Sequence, residues 1–384
     1  MREFKIASLI MERFAKDTGI TDKSKPQRRY LWTDAFGVCN FLSLYEESKD
    51  KKYLDLALEL VDSVHNTLGK FREDDKRRGY ISGLDEESAK IHPTIGGLRI
   101  GKKLPQRGKD EPFDEDLEWE RDGQYFHYLT KWMHALSRVT QVTGEHKYNL
   151  WAMELAKTAF RKFVYFNGKR VGMYWKMSVD LSYPLVTSMG QHDPLDGFIT
   201  CMEIERVAKE NPSVYGALSL ENEIDEFYFI TKDLNLATAD SLGLGGLLSD
   251  CVFLSWLDIE RYEELFFKML ESFIVGMEYF IKNNYLAYPA YYRLAFRELG
   301  LAIGLKGSPI LKKQLQNKNL YEKAKLYMDI LEKFAPIGEE IENFWIKEEN
   351  RDNETWIEHK DINEVMLATA LLPRGFLEIK AKGV

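Results

Sequence analysis

Cysteine is scarce: Cys39, Cys201 and Cys251 are the only three in 384 residues, an odd number without CxxC spacing, each among apolar neighbours. That excludes a disulfide framework and a thiolate metal centre, and it predicts buried, reduced thiols. Long apolar runs are missing too. The best stretch, Leu242 to Leu257, is broken by Asp250 and falls short of the ~18 residues of a membrane helix. There is no basic excess, since 53 Lys and Arg face 61 Asp and Glu for a net charge of −8, which excludes a chain whose main business is binding nucleic acid. The sequence has no GKS or GKT phosphate loop, no HExxH and no GxSxG, and Gly96, Gly97 and Gly101 lack the dinucleotide spacing. The acidic run 110–122 lacks the ligand spacing of a calcium loop, so neither a metal nor a cofactor is expected.

Strict alternation of apolar and polar residues is scarce as well, whereas apolar residues at i, i+3, i+4 and i+7 recur along the chain, so an all-α protein is expected. The first helix is predicted at 3–16, amphipathic and without a cleavage-like site, as in a cytoplasmic protein. Five pairs follow: 31–48 with 51–69, 122–142 with 146–165, 194–209 with 221–231, 241–257 with 260–282, and 290–304 with 319–334. A last helix covers 361–372 and stops at Pro373. The two unpaired helices make a sixth hairpin if the chain closes on itself as one domain over 1–384. A faint repeat fits this. Lys52-Tyr53 is followed by Ala57, Glu59 and Leu60, and Lys147-Tyr148 by Ala152, Glu154 and Leu155 at the same offsets, 95 residues on. Linkers within pairs are short, but those at 70–121, 166–192 and 335–360 are long. Segment 70–121 is expected to act as a lid.

Twelve helices in hairpins, with acidic, polar and aromatic clusters at the starts of the first helices, resemble the six-hairpin glycosidase superfamily, the (α/α)6 toroids. That group includes inverting glycoside hydrolases, unsaturated glucuronyl hydrolases and N-acylglucosamine 2-epimerase-type isomerases. The resemblance implies a ring of inner and outer helices and a small carbohydrate bound at the end where the inner helices begin.

Aspartates stand at four of those starts, in Trp32-Thr33-Asp34, Arg121-Asp122-Gly123-Gln124-Tyr125, Gly190-Gln191-His192-Asp193-Pro194 and Ala239-Asp240-Ser241. Glycoside hydrolysis needs one protonated and one ionised carboxyl group across the scissile bond, and Asp122 and Asp193 are the expected pair, with His192 beside the second. Gln124, His127 and Tyr128 follow on a helix expected to begin at Asp122. Trp32, Asp34, Gln191, Asp240, Tyr292, Arg293, Trp356 and His359 complete the expected sugar-binding set. Arg293 suits a carboxylate or phosphate of the substrate, or a salt bridge. Each Asp also suits a helix cap, Asp193-Pro194 especially, and Asp361 to Glu364 reads as a capping box. Three functions compete: an oligosaccharide or uronide hydrolase using Asp122 and Asp193; a sugar epimerase using His192 and His359; and a non-catalytic toroid that binds a sugar or a protein.

Overall fold

A computed structural model describes residues 2–168, 170–216 and 218–379. Helices occupy Arg2–Asp17, Leu31–Ser48, Lys51–Leu68, Phe126–Thr143, Lys147–Phe163, Asp193–Lys209, Glu221–Thr231, Ser241–Trp256, Glu263–Lys282, Ala295–Lys306, Ser308–Asn317, Tyr321–Ile346 and Lys360–Leu371. The order is the expected one, but several bounds differ, and the helix expected from 290 begins at Ala295. The helix expected from Asp122 begins at Phe126. An additional helix, Ser308–Asn317, fills the connection after 304. The helix expected to end at 334 runs through Pro336 to Ile346, so 335–360 is not the long loop it was taken to be. A proline inside a helix costs about 3 kcal/mol. Full burial of Ile341 and Trp345 beyond it returns about 1.5–3 kcal/mol each, so continuation wins.

The described residues form two compact units. In the unit made of residues 15–42 and 51–233, helix 126–143 packs on both 147–163 and 193–209, and 193–209 packs on 221–231. Helix 193–209 is buried nearly all round, its Asp193, Asp196, Glu203 and Glu205 included, so it shows no single polar stripe. Its buried Glu203 lies 2.7 Å from His134 Nδ1. Segment 70–121 carries two short helices, Glu86–Ile91 and Glu115–Glu120. Two small antiparallel sheets complete the unit: Val164–Asn167 with Arg170–Met173, and Gln124–Tyr125 with Lys176–Met177 and Pro184–Val186.

In this unit Trp132 Nε1 donates to His65 Nε2 at 3.1 Å, and burial pushes the His65 pKa down to about 3. The unfolded imidazole takes up a proton near pH 6.5 and the folded one does not. Stability is therefore complete above pH 6.5 and declines as pH falls toward 3, by about 1.4 kcal/mol per pH unit from this group. His65→Gln keeps an acceptor for Trp132 and cannot titrate, so urea midpoints measured between pH 7 and 4 should show a shallower decline than in the parent.

In the unit made of residues 2–14, 43–50 and 234–379, helix 241–256 packs on 295–306, which in turn packs on 321–346 and 360–371. Helix 263–282 buries Leu265, Phe266, Met269, Leu270, Phe273, Met277 and Phe280 at three- and four-residue spacing. The first and last helices meet through Arg13 and Glu364, 3.4 Å apart. The expected capping box is thus replaced: the helix already begins at Lys360, and Glu364 faces Arg13. The backbones of 241–256 and 295–306 touch at glycine, where a Cβ on Gly245 would lie 2.0 Å from the Gly300 carbonyl oxygen, while one on Gly246 would meet nothing within 4 Å. Gly245→Ala should destabilise by about 1–3 kcal/mol, outweighing the ~1 kcal/mol gain in helix propensity. Gly246→Ala should keep that gain. Thermal melts of the two variants check the pair.

Candidate functional site

Asp193 is the first residue of its helix and not its cap. The cap position belongs to His192, whose side chain makes no capping hydrogen bond, so a cap does not account for this carboxyl group. Asp193 is 4% exposed, its Oδ2 has no hydrogen-bond partner, and its Oδ1 lies 3.6 Å from His127 Nδ1, an atom likewise without a partner. Gly190 makes room, since a Cβ there would stand 2.5 Å from Asp193 Oδ1. Burial, and then the nearby charge of Asp196, push the Asp193 pKa well above the usual carboxylate range. Burial lowers that of His127 to about 4. Burial thus favours the neutral form of each group, the carboxylic acid at Asp193 and the unprotonated imidazole at His127. His127 keeps 23% of its side chain exposed, so a ligand can reach the pair. Lys131, one turn beyond His127, donates to Asp196 Oδ1 at 3.0 Å.

Aromatic rings wall this group. Trp32, in the first turn of helix 31–48, lies 6.1 Å from His127 and 5.4 Å from Tyr128 between centroids, and its buried Nε1 has no partner. Tyr128 and Tyr30 share a 2.6 Å hydroxyl contact. The three-stranded sheet explains the far wall. Trp175 N donates to Ser188 O at 2.9 Å, and the indole lies 5.3 Å from Tyr125 and nearly parallel to His127, at 6.1 Å and 16°. The exposed Trp119 meets Trp175 edge-on at 5.0 Å. Tyr30, Trp119, Trp175, Lys131 and Asp196 were not among the expected site residues. For the last two the signal was present, since Lys131 follows His127 by four residues and Asp196 follows Asp193 by three, spacings that share a helix face.

Other expected residues turn elsewhere. Asp122 is fully buried. Its Oδ2 accepts from Arg99 Nη1 at 3.0 Å and its Oδ1 from the Gly101 and Gly123 amides, with Arg72 at 3.8 Å. Gln124 clamps the chain at Leu98 N, Gly96 O and Val179 O. Asp34 accepts from Tyr30 N at 2.9 Å and faces Arg29. Gln191 is exposed and His192 half-buried. The acidic run is bound to basic partners: Glu118 pairs with Arg107 and with the fully buried Lys176, both at 2.9 Å.

In the other unit, Asp240 caps helix 241–256 through Gly243 N and pairs with Arg297 at 2.6 Å. Trp356 is buried against Trp345, and His359 is exposed beside Phe296. Arg293 is buried in a bidentate pair with Glu298 at 2.8 and 2.7 Å. Asp240, Tyr292 and Arg293 line a cleft of about 700 Å³ together with Phe280, Tyr285, Tyr288, Arg297 and Glu298.

No protein-family model matches the sequence, and no curated protein matches it. Solved structures do. A family GH76 α-mannanase of Bacteroides thetaiotaomicron is 10% identical with a TM-score of 0.54, over 97% of this chain and 96% of its own. An inactive variant of a GH76 α-1,6-mannanase of a Salegentibacter species, with two neighbouring aspartates changed to alanine and α-1,6-mannotetraose bound, is 10% identical with a TM-score of 0.53, over 98% of this chain and 99% of its own. A cellobiose 2-epimerase of Spirochaeta thermophila is 13% identical with a TM-score of 0.49, over 94% and 97%. The likeness to the two mannanases shows the fold alone: the chain has an (α/α)6 toroid fold.

Proposed function

We propose that the protein is a carbohydrate-active enzyme that hydrolyses a glycosidic bond, with Asp193 as the proton donor. The observation that carries this is a buried carboxyl group with Oδ2 unengaged, 3.6 Å from an unpartnered imidazole nitrogen and walled by aromatic rings, where burial raises its affinity for a proton. A glycosidic oxygen leaves as an alcohol only if it is protonated as its bond to the anomeric carbon breaks. Asp193 supplies that proton near neutral pH, where an ordinary aspartate has already lost its own. Indole and phenol rings suit the C–H faces of a sugar. The same-fold mannanase that is inactive without two aspartates makes carboxyl chemistry a natural reading.

The 3.6 Å between Asp193 and His127 is too short for them to flank an anomeric carbon, which takes about 5–5.5 Å in retaining enzymes and more in inverting ones. His127 thus acts on the same side as Asp193, orienting and returning its proton. Asp196, held by Lys131 at 3.0 Å, is the other carboxylate beside the pair. Asp122, bound on both oxygens, is assigned to holding the loop at 99–101 and not to the acid–base pair with Asp193 that the sequence suggests.

That short separation also favours a second reading, a sugar isomerase in which His127 and Asp193 shuttle a proton along one face of the sugar. Product analysis separates the two. In H₂¹⁸O, hydrolysis of a neutral oligosaccharide should yield new reducing ends carrying the label. Carbon-bound deuterium acquired in D₂O without new chain ends would replace hydrolysis with isomerisation, and no product from any sugar would remove both.

A further inference from the structure

The cleft at residues 239–241 and 280–298 has aromatic walls. Tyr285, Tyr288 and Tyr292 are 38%, 52% and 70% exposed, and no hydrogen bond engages their hydroxyls among the described residues. Two arginines line the same cleft, and by themselves they would attract an acidic ligand. Arg293 is already committed, and Arg297 is paired through Nη1. Arg293 gives Nε and Nη2 to the two oxygens of Glu298 and Nη1 to Leu286 O at 2.9 Å, and the ring of Phe344 covers its face at 3.8 Å. Glu298 is fixed in turn by Trp345 Nε1 at 2.8 Å. At the rim, Arg297 is paired with Asp240, which the helix amide of Gly243 also holds in place.

The geometry points to this cleft as a binding site for a neutral oligosaccharide that discriminates against uronic acids. The inference rests on the carbohydrate reading above. A cavity of about 700 Å³ lies within the ~300–1,000 Å³ range of small-ligand sites. Its free valences are ring faces and phenol hydroxyls, which match the C–H faces and hydroxyls of an uncharged sugar. A uronate would bring a carboxylate that must be stripped of water in a cleft where Glu298 and Asp240 already hold both guanidinium groups. The Asp240–Arg297 pair is the element that sets this charge preference: with Asp240 neutralised, one guanidinium becomes free at the rim.

The test is equilibrium titration calorimetry on the full chain with four neutral tetrasaccharides (gluco, manno, galacto and xylo) and two charged ones, tetragalacturonate and tetramannuronate. At least one neutral tetramer should bind, and both uronates should bind at least tenfold more weakly. Tyr288→Ala and Tyr292→Ala should each weaken the neutral tetramer at least fivefold. Asp240→Asn still caps the helix and should raise uronate affinity at least fivefold, narrowing the preference; a merely structural Asp240 would leave the ratio of the two affinities where it was. Uronates bound as tightly as neutral tetramers, no neutral tetramer bound, or an unchanged ratio in Asp240→Asn would each overturn the inference. Neutral binding that ignores both tyrosine changes would place the sugar elsewhere and overturn it while leaving hydrolysis standing. Undiminished turnover in Asp193→Asn is the separate result that removes the catalytic reading.

Discussion

Asp193→Asn is expected to lower turnover of the hydrolysed oligosaccharide at least a hundredfold, the usual scale for loss of a general acid, while the melting temperature stays level or rises slightly. Asparagine has the shape of the protonated carboxyl group but no proton to give. Because burial favours the neutral form of Asp193 and its Oδ2 has no partner, the substitution should remove no charge interaction that holds the fold. It also relieves the cost of keeping an ionisable group in that place, which grows as pH rises above the ordinary carboxylate pKa. The pH profile belongs to the same expectation. In the parent, kcat/KM should fall on the alkaline side as Asp193 ionises, and on the acid side near pH 4 as His127 takes up a proton. Steady-state kinetics beside calorimetric melts read both quantities. A destabilised Asp193→Asn, or one with full turnover, contradicts the assignment.

Asp122→Ala should have the opposite signature, a loss of about 3–5 kcal/mol of stability, because removing one member of a buried ion pair strands the other. Arg99 would keep its hydrogen bonds to the Lys70 and Thr67 carbonyls but lose its counter-charge, and the Gly101 and Gly123 amides would lose their acceptor. Asp122→Asn should fall between, keeping an acceptor for the amides without a charge for Arg99. Urea unfolding measures both variants. If Asp122→Asn is as stable as the parent and yet inactive, Asp122 belongs to the acid–base pair expected from the sequence and its structural role here is wrong.

The helices were legible because burial leaves a period. Leu265 to Phe280 repeats at three and four residues along 263–282, and the repeated Lys-Tyr pairs mark Lys51–Leu68 and Lys147–Phe163. Strands of two to four residues, such as Gln124–Tyr125 and Lys176–Met177, are too short to show alternation, so the sheet that sets Trp175 against His127 was invisible. The helix expected to end at 334 runs on through Pro336, which local chemistry disfavours in a helix, because burial of Ile341 and Trp345 beyond it outweighs that cost. At the site, Trp32, His127, Tyr128 and Asp193 were chosen from the sequence and meet in space. Asp122 was chosen by the same logic and meets arginines instead. A carboxylate at a helix start reads the same whether it faces a ligand or a guanidinium, and Arg72 and Arg99 come from a long segment with no periodicity to place it. Arg293 repeats the lesson: its partner Glu298 stands only five residues on, but the bidentate geometry needs the turn between them.

The proton on Asp193 can be observed without a substrate. Infrared difference spectroscopy of parent against Asp193→Asn, at pH 6.5 in H₂O and D₂O, isolates the carbonyl stretch of a protonated carboxyl group from every other acid in the chain. A band present in the parent, shifted in D₂O and absent from the variant is the result expected of a buried acid poised to donate. A parent whose difference spectrum shows only carboxylate bands at that position would mean that Asp193 is ionised at working pH, and the proposed mechanism would lose its proton donor.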